Sequence, residues 1–108
     1  MVIIVSYIHV KDILDGGMDG KKVHLRGWVH RIRKQKKMVF VLLRDPSGVV
    51  QTIIKKDVVS EASYADAEKM LIESLVSMVG TVRADERAEG GYEVQVEEFN
   101  VLHFAEEF

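Results

Sequence analysis

The sequence predicts an all-β domain in which five strands form a Greek-key barrel. Three observations support this prediction. Five segments are predicted to be strands: apolar and polar residues alternate in the first and the last, residues 38–43 are an apolar run, and residues 49–55 are short and β-branched. One segment with helical periodicity lies between the third and fourth strand segments, and a shorter helical segment precedes the first. Turns rich in glycine, or containing proline, separate several of these segments. This order is that of the OB-fold, and another small α+β domain is the alternative.

The expected strands have the following bounds. The first begins at Lys21, and the others cover residues 38–45, 49–55, 76–84 and 92–104. Gly27 predicts a bulge or a sharp bend in the first strand, and Gly80 lies in the middle of the fourth. Both glycines would let long strands curl around a barrel. The alternation slips near Glu97 and Glu98, which predicts an irregularity in the last strand.

Two helices and two tight turns complete the predicted fold. A short helix is expected in residues 9–15, and the cluster GGMDG at residues 16–20 ends it, because glycine tolerates positive φ. The run Asp45–Gly48 is a turn in which proline presets φ. The longer helix covers residues 61–72 with Ser60 as its N-cap. Its expected buried face comprises Tyr64, Ala67, Met70 and Leu71.

Length and composition narrow the class of protein. The 108 residues fit a single domain with one core, so residues 1–108 are taken as one domain. The absence of cysteine excludes a disulfide scaffold and a thiolate zinc site. No apolar run approaches the roughly 20 residues that span a bilayer. The apolar N-terminus has no basic region before it, so we expect no signal peptide, no membrane partner and a cytoplasmic protein.

The net charge of −2 conceals a strong asymmetry. Residues 1–60 carry twelve Lys or Arg and five Asp or Glu, whereas residues 61–108 carry three and twelve. Five of the eight residues from His30 to Lys37 are basic, in a stretch next to a strand. A chain with this distribution can fold with one positive face, and a local field of that kind attracts polyanions.

No pattern typical of catalysis or metal binding occurs. The sequence lacks G-x-G-x-x-G and the P-loop, and its four histidines have no i, i+3 or i, i+4 pairing. The aspartates near residues 12–19 do not have the spacing of a calcium loop. This chain alone is therefore expected to have no catalytic site, no metal site and no cofactor.

The basic stretch and the strands beside it predict a site for single-stranded nucleic acid. If Val41 and Leu43 point into the barrel, Phe40 points outward, and Gln51 on the next strand points outward beside it. An exposed ring can stack on a base, and cations can contact phosphates. The basic residues in question are Arg31, Arg33, Lys34, Lys36 and Lys37. The opposing interpretation is a buried Phe40 beside an ordinary solvated loop.

Several motifs together resemble one family. They are GWVHRIR, the F-x-x-L-R-D of Phe40–Asp45, the G-V-V-Q of Gly48–Gln51, and the segment ESLVSMVGTVRADERAEGGYEVQVEEFNVL. Over residues 7–108 the chain resembles the N-terminal anticodon-binding domain of class IIb aminoacyl-tRNA synthetases. The similarity is greatest to the asparaginyl enzymes of the archaeal and eukaryotic kind, with the aspartyl enzymes next.

The resemblance implies a fold, a partner and roles for individual residues. The fold would be an OB-fold that grips the anticodon loop of a tRNA, that of asparagine on this similarity. Phe40 would stack on the middle base, a uracil, and Gln51 would hydrogen-bond to it. Arg33 would contact the loop, and Glu93 would lie near the outer anticodon letters. The lysines of residues 34–37 would hold phosphates, and Trp28 would pack near the site or border it.

The chain also departs from the family. Its first hairpin turn reads Lys-Gln-Lys-Lys where relatives often have glycine. The class II motifs that bind ATP are absent, so ATP and Mg²⁺ are implied only for a catalytic domain outside this chain. Because AEEF stands where the family's domain ends, we expect a domain of a longer enzyme rather than a free-standing relative. We expect the domain itself to be a monomer and the parent enzyme a homodimer.

Two other functions remain open from the sequence. A general single-strand-binding protein would show a steep salt dependence and little base preference. A protein-interaction module would use outward apolar residues such as Leu42 and Ile53 to pack against another domain. The choice between asparagine and aspartate specificity also stays open.

Overall fold

The computed structural model describes residues 4–5 and 7–106. It contains six strands and two helices. The strands are β1 (Ile4–Val5), β2 (Lys22–Gln35), β3 (Met38–Asp45), β4 (Gly48–Lys55), β5 (Leu75–Ala84) and β6 (Tyr92–His103), and the helices are α1 (Val10–Leu14) and α2 (Glu61–Lys69). Residues 1–3 and 107–108 lie outside the described part of the chain. The end of the segment AEEF, where the domain is expected to end, therefore lies outside it too.

Strands β2 to β6 close into a five-stranded barrel. The order of hydrogen-bonded neighbours is β2-β3-β4-β6-β5, and a second pairing of β2 with β5 closes the ring. All of these pairs are antiparallel except β4 with β6, which run parallel. Helix α2 connects β4 to β5, which are the third and fourth strands of the barrel. The predicted OB-fold, with one helix between its third and fourth strands and a short one before the first, is confirmed.

Strand β2 is long because it belongs to two ladders. Its first half, Lys22–Trp28, pairs with β5, and its second half, Trp28–Gln35, pairs with β3. Gly27 lies where the partner changes, and a Cβ there would collide with the carbonyl of Arg44 on β3. The irregularity in the β2–β3 ladder falls at His30 rather than at Gly27. Gly27 therefore permits a close approach of two backbones, and the bulge lies three residues beyond it.

The predicted slip in the last strand is confirmed. Val79 pairs with Glu98 and Gly80 with Val96, so Glu97 has no partner residue on β5. A Cβ on Gly80 would lie 2.5 Å from the backbone oxygen of Gln95. The glycine thus lets β6 bend tightly against β5 at the bulge, and this bend helps the sheet to close.

The inward residues of the strands form the core. Fully buried members include Val23, Leu25, Val29, Val39, Val41, Leu43, Val50, Ile54, Val76, Met78, Val94 and Phe99. Helix α2 covers one end of the barrel through Tyr64, Ala67 and the following Met70, and Ser60 caps it by accepting a hydrogen bond from the Ser63 amide. No buried side-chain nitrogen or oxygen in the described part lacks a hydrogen-bond partner.

Two predictions need correction, and one pairing was not predicted. Helix α2 ends at Lys69, because Met70 already has extended backbone angles, and Leu71 lies outside the helix. Ile53 faces outward from the barrel yet is only 6% exposed, so it offers little surface to a partner. The parallel pairing of β1 with Lys22 and Val23 was not predicted. Within residues 4–5 and 7–106, no helix is long and apolar enough to cross a membrane.

Candidate nucleic-acid interface

A groove of about 330 Å³ lies on the outer face of β3 and β4, beside the second half of β2. It brings together several of the predicted site residues with others from the turn before β6. The lining residues are Arg31, Ile32, Arg33, Phe40, Val41, Leu42, Gln51, Arg87 and Glu89. In an OB-fold this face and the loops at its two ends are the surfaces that bind oligonucleotides.

The alternation of β3 explains why Phe40 faces the groove. Val39, Val41 and Leu43 are buried in the core, so Phe40 and Leu42 must point to the opposite side of the sheet. Phe40 is half-buried. The predicted outward orientation is confirmed, and one part of the ring remains available to a ligand.

Arginines from β2 flank the ring. Arg33 is the register partner of Phe40, and its guanidinium carbon lies 4.4 Å from the centre of the ring. Arg31, two residues before Arg33, is the register partner of Leu42 and lies on the same side of the sheet. Neither arginine forms an ion pair with any residue that the structure describes. Their charges are therefore available to an anion in the groove.

Gln51 and Glu93 meet on the parallel ladder between β4 and β6. They are register partners, and the Gln51 Nε2 atom donates a hydrogen bond of 2.8 Å to Oε2 of Glu93. Glu93 is only 9% exposed. Gln51 lies opposite Leu42, one step diagonally from Phe40, so the ring and the amide share one face.

The hairpin turn between β2 and β3 places two more cations at the end of the groove face. Gln35 pairs with Met38, so the turn consists of Lys36 and Lys37, and both are exposed. Lys37 adopts a left-handed conformation with φ of 62°, which is uncommon for a residue with a side chain.

Two residues considered from the sequence lie elsewhere. Lys34 points to the other side of β2, where its ammonium donates to the carbonyl oxygen of Glu68 near the end of α2. Trp28 lies at the far end of the β2–β3 ladder, 38% exposed, with the guanidinium of Arg44 5.7 Å from its ring centre. Trp28 is not among the residues that line the groove.

Two residues that line the groove, Arg87 and Glu89 in the turn between β5 and β6, were not predicted from the sequence. Arg87 donates through Nε to Asp85 at 3.2 Å, and this hydrogen bond raises the pKa of Arg87 and lowers the pKa of the Asp85 carboxyl. The signal that could have found them is topological, because this turn joins the last two strands of the barrel and such loops border OB-fold ligand sites.

The groove can contact phosphates, stack on a ring and form hydrogen bonds to a base edge. No cluster of three or more His, Cys, Asp or Glu side chains that could hold a metal ion occurs among the described residues. Stacking, base-edge hydrogen bonds and cations together are the features by which proteins recognise unpaired RNA.

Comparisons with known proteins agree with this geometry. Residues 23–102 match the tRNA anticodon family model, described as an OB-fold nucleic acid binding domain. Asparagine–tRNA ligase of Pyrococcus furiosus is 47% identical over 91 residues, which are 84% of this chain and 21% of that protein. The chain thus spans about a fifth of the length of the curated relatives it matches.

Solved structures are similar over nearly the whole chain. The crystal structure of asparaginyl-tRNA synthetase from Pyrococcus horikoshii aligns with a TM-score of 0.87 and 40% identity, covering 94% of this chain and 24% of that one. Aspartyl tRNA synthetase from Entamoeba histolytica aligns with a TM-score of 0.83 and 26% identity, covering 96% and 23%. Sequence identity is higher with the asparaginyl structure than with the aspartyl one.

Proposed function

The chain belongs to the tRNA anticodon family of OB-fold nucleic acid binding domains, and we propose that it is the anticodon-binding module of an asparagine–tRNA ligase. The observation that carries the proposal is the groove, in which Phe40 and Gln51 share one face beside two arginines without ion-pair partners in the described part. The identities of 41–51% to asparagine–tRNA ligases support the choice of amino acid.

Positive charge supplies the part of the binding that does not depend on sequence. Arg31 and Arg33 beside the groove, with Lys36 and Lys37 at the hairpin turn, contact phosphates of the anticodon loop. Each contact releases counterions from the RNA, so the affinity falls as the salt concentration rises. Lys34 has a smaller part, because its ammonium is directed at Glu68.

Phe40 and Gln51 supply base recognition. The ring of Phe40 stacks on the middle base of the anticodon, and the amide of Gln51 forms a hydrogen bond to the edge of that base. Stacking on an aromatic side chain is worth about 1–3 kcal/mol per base. Phosphate contacts position the loop and base contacts specify it.

The ligation reaction itself belongs to a catalytic domain outside this chain. We propose that such a domain binds ATP, Mg²⁺ and the amino acid, and that this module increases selectivity for the correct tRNA. The whole enzyme is proposed to act as a homodimer, with the present module contributing tRNA contacts as a monomeric unit.

Fluorescence anisotropy with a labelled anticodon stem-loop carrying GUU tests the proposal. The wild-type domain should bind, and Phe40→Ala should weaken binding by about tenfold. Phe104→Ala is the matched control, because Phe104 is 37% exposed and does not line the groove. A stem-loop with another base in place of the middle uracil should bind the wild type more weakly than the GUU loop.

Two salt concentrations separate the alternatives. Binding that falls with salt but ignores both Phe40→Ala and the base change would identify a general single-strand binder. No binding at low salt would overturn the nucleic-acid role and favour a protein-interaction module.

A further inference from the structure

We propose that Glu93 is a positioning residue that fixes the orientation of the Gln51 amide and thereby sets which base the groove accepts. The inference rests on the proposed function and adds to it the origin of selectivity at one base. It differs from the expectation that Glu93 lies near the outer anticodon letters.

The chemistry of the two side chains determines how the Gln51 amide meets Glu93. A glutamine side chain has one end that donates and one that accepts, and the two ends have nearly the same shape. An ionised carboxylate only accepts hydrogen bonds. The Gln51 end that faces Glu93 must therefore be the NH₂ group, as in the 2.8 Å contact from Nε2 to Oε2.

The burial of Glu93 makes this contact obligatory. Glu93 is 9% exposed, so water cannot satisfy its carboxylate fully. Among the described residues, Glu93 forms no ion pair, and Gln51 is the side chain that donates to it. Turning the amide over would place two acceptors against each other in a site of low dielectric, which is strongly unfavourable.

The contact with Glu93 leaves one end of the Gln51 amide for a ligand. Gln51 lines the groove and Glu93 does not. None of the hydrogen bonds between described side chains uses Oε1 of Gln51. With Nε2 held by Glu93, the groove presents this acceptor beside the Phe40 ring.

An acceptor at this point distinguishes bases by whether the central ring nitrogen of the Watson–Crick edge carries a hydrogen. On the Watson–Crick edge, uracil and guanine have an N–H at the central ring nitrogen, whereas cytosine and adenine have an unprotonated nitrogen there. Oε1 therefore accepts a hydrogen bond from uracil and meets a lone pair on cytosine. Since both pyrimidines stack similarly on a ring, the discrimination between them comes from the orientation of the amide.

The decisive variant is Glu93→Gln, which keeps the shape of the side chain and can donate as well as accept. Gln51 can then turn over and present its NH₂ group to cytosine. We expect the wild type to prefer a GUU loop over a GCU loop by about tenfold or more. In Glu93→Gln this preference should fall below about threefold, chiefly because the GCU loop binds more tightly than before.

Glu89→Gln is the matched control. Glu89 is an exposed carboxylate that lines the same groove, so the variant makes the same change in charge without touching Gln51. It should bind both loops more tightly and leave their ratio unchanged. In a Gln51→Ala background, Glu93→Gln should have no effect on the ratio, and a thermal melt of each variant checks that it is folded.

The outcomes separate this inference from the proposed function. If Gln51→Ala abolishes the preference for uracil and Glu93→Gln does not alter it, Glu93 does not orient Gln51, although the groove still reads the base. If Glu93→Gln instead changes the response to the outer anticodon letters, Glu93 contacts RNA directly and the inference is wrong. If the wild type binds neither loop, the proposed function itself fails.

Discussion

Two arginine–aromatic pairs lie at opposite ends of the ladder between β2 and β3, and they differ in what holds the arginine. At one end Arg44 lies over Trp28 and forms two hydrogen bonds, of 2.9 and 2.8 Å, with the carboxylate of Glu73. At the other end Arg33 lies over Phe40 without an ion pair in the described part. The same chemical pairing is neutralised by the protein at one end and left for a ligand at the other.

The neighbouring polar groups follow the same division. Beside Arg44, the buried carboxylate of Asp45 accepts hydrogen bonds from the amides of Val10, Ser47 and Gly48 and from the Ser47 hydroxyl. These bonds tie the N-terminus of α1 to the turn between β3 and β4. Beside Arg33, no residue that the structure describes forms an ion pair with the exposed lysines of the hairpin turn. The difference teaches that internal pairing, rather than the count of charges, distinguishes a structural end from the end that we propose binds RNA.

The largest effect is expected at the structural end. Asp45→Ala removes the acceptor for three backbone amides and should lower the free energy of unfolding by about 2–3 kcal/mol. Urea denaturation measures this change. The folded fraction should bind the GUU stem-loop as the wild type does, and a loss of affinity in folded protein would show that the two ends are not independent.

Replacing each of the two arginines separately by alanine tests whether the two ends differ in RNA binding. Arg33→Ala should weaken RNA binding by about tenfold and reduce the salt slope by about one, because one phosphate contact is lost. Arg44→Ala, its matched control, should leave both quantities close to the wild-type values, since Glu73 already neutralises Arg44. Anisotropy titrations over a salt series measure both. Equal losses in the two variants would contradict the proposed division.

Acidification should act on the structural end. Burial alone would raise the pKa of the Asp45 carboxyl, but the hydrogen bonds from Ser47, Val10 and Gly48 outweigh it and hold the pKa below its ordinary value. Because the folded state favours the ionised form, this stabilisation is complete above the ordinary pKa of about 4 and is lost as the pH falls through the lower folded value.

Denaturation curves between pH 7 and pH 2 measure the effect of acid. Glu73 and Asp85, whose pKa values are also lowered, contribute in the same direction. The comparison with Asp45→Asn isolates the contribution of Asp45. The stability of that variant should fall less steeply in acid than that of the wild type, and parallel curves would assign the effect to the other carboxylates.

The smallest effect is expected at the hairpin turn. Lys37→Gly relieves a left-handed backbone and should raise the free energy of unfolding by about 0.5 kcal/mol, or about 2–4 °C in Tm. RNA affinity should fall slightly with the lost charge. Lys36→Gly is the control, because Lys36 is not among the residues with positive φ, and it should not stabilise the domain.

Local patterns were sufficient to predict most of the fold. The apolar run at residues 38–43 and the turn after it located β3 within the observed bounds. Residue type identified Ser60 as the N-cap, and a break in the alternation identified the slip near Glu97. Gly27 was predicted to mark a bulge or a sharp bend, and the bulge lies at His30 instead, because the register of β2 depends on two partner strands at once. Strand β1 was missed because pairing in parallel with β2 leaves no signature in a two-residue segment.

The candidate site was predicted only where alternation determines the facing of a side chain. This was enough for Phe40, and it also placed Gln51 on the same face. Alternation did not predict the direction of the Lys34 side chain, because the bulge at His30 changes which residues of β2 face the groove. Arg87 and the contact between Gln51 and Glu93 depend on strands that are distant in sequence, and these meet only in the folded barrel.

The parallel pairing of β4 with β6 has a consequence for the order in which the groove is completed. The cations and the Phe40 ring come from β2 and β3, which are joined by a two-residue hairpin and can form from local contacts. The partner of Gln51 is 42 residues away and arrives with the last strand. During synthesis, which proceeds from the N-terminus, the chain would acquire salt-dependent affinity for RNA first. Selectivity for a base would follow only when β6 has emerged and closed the barrel.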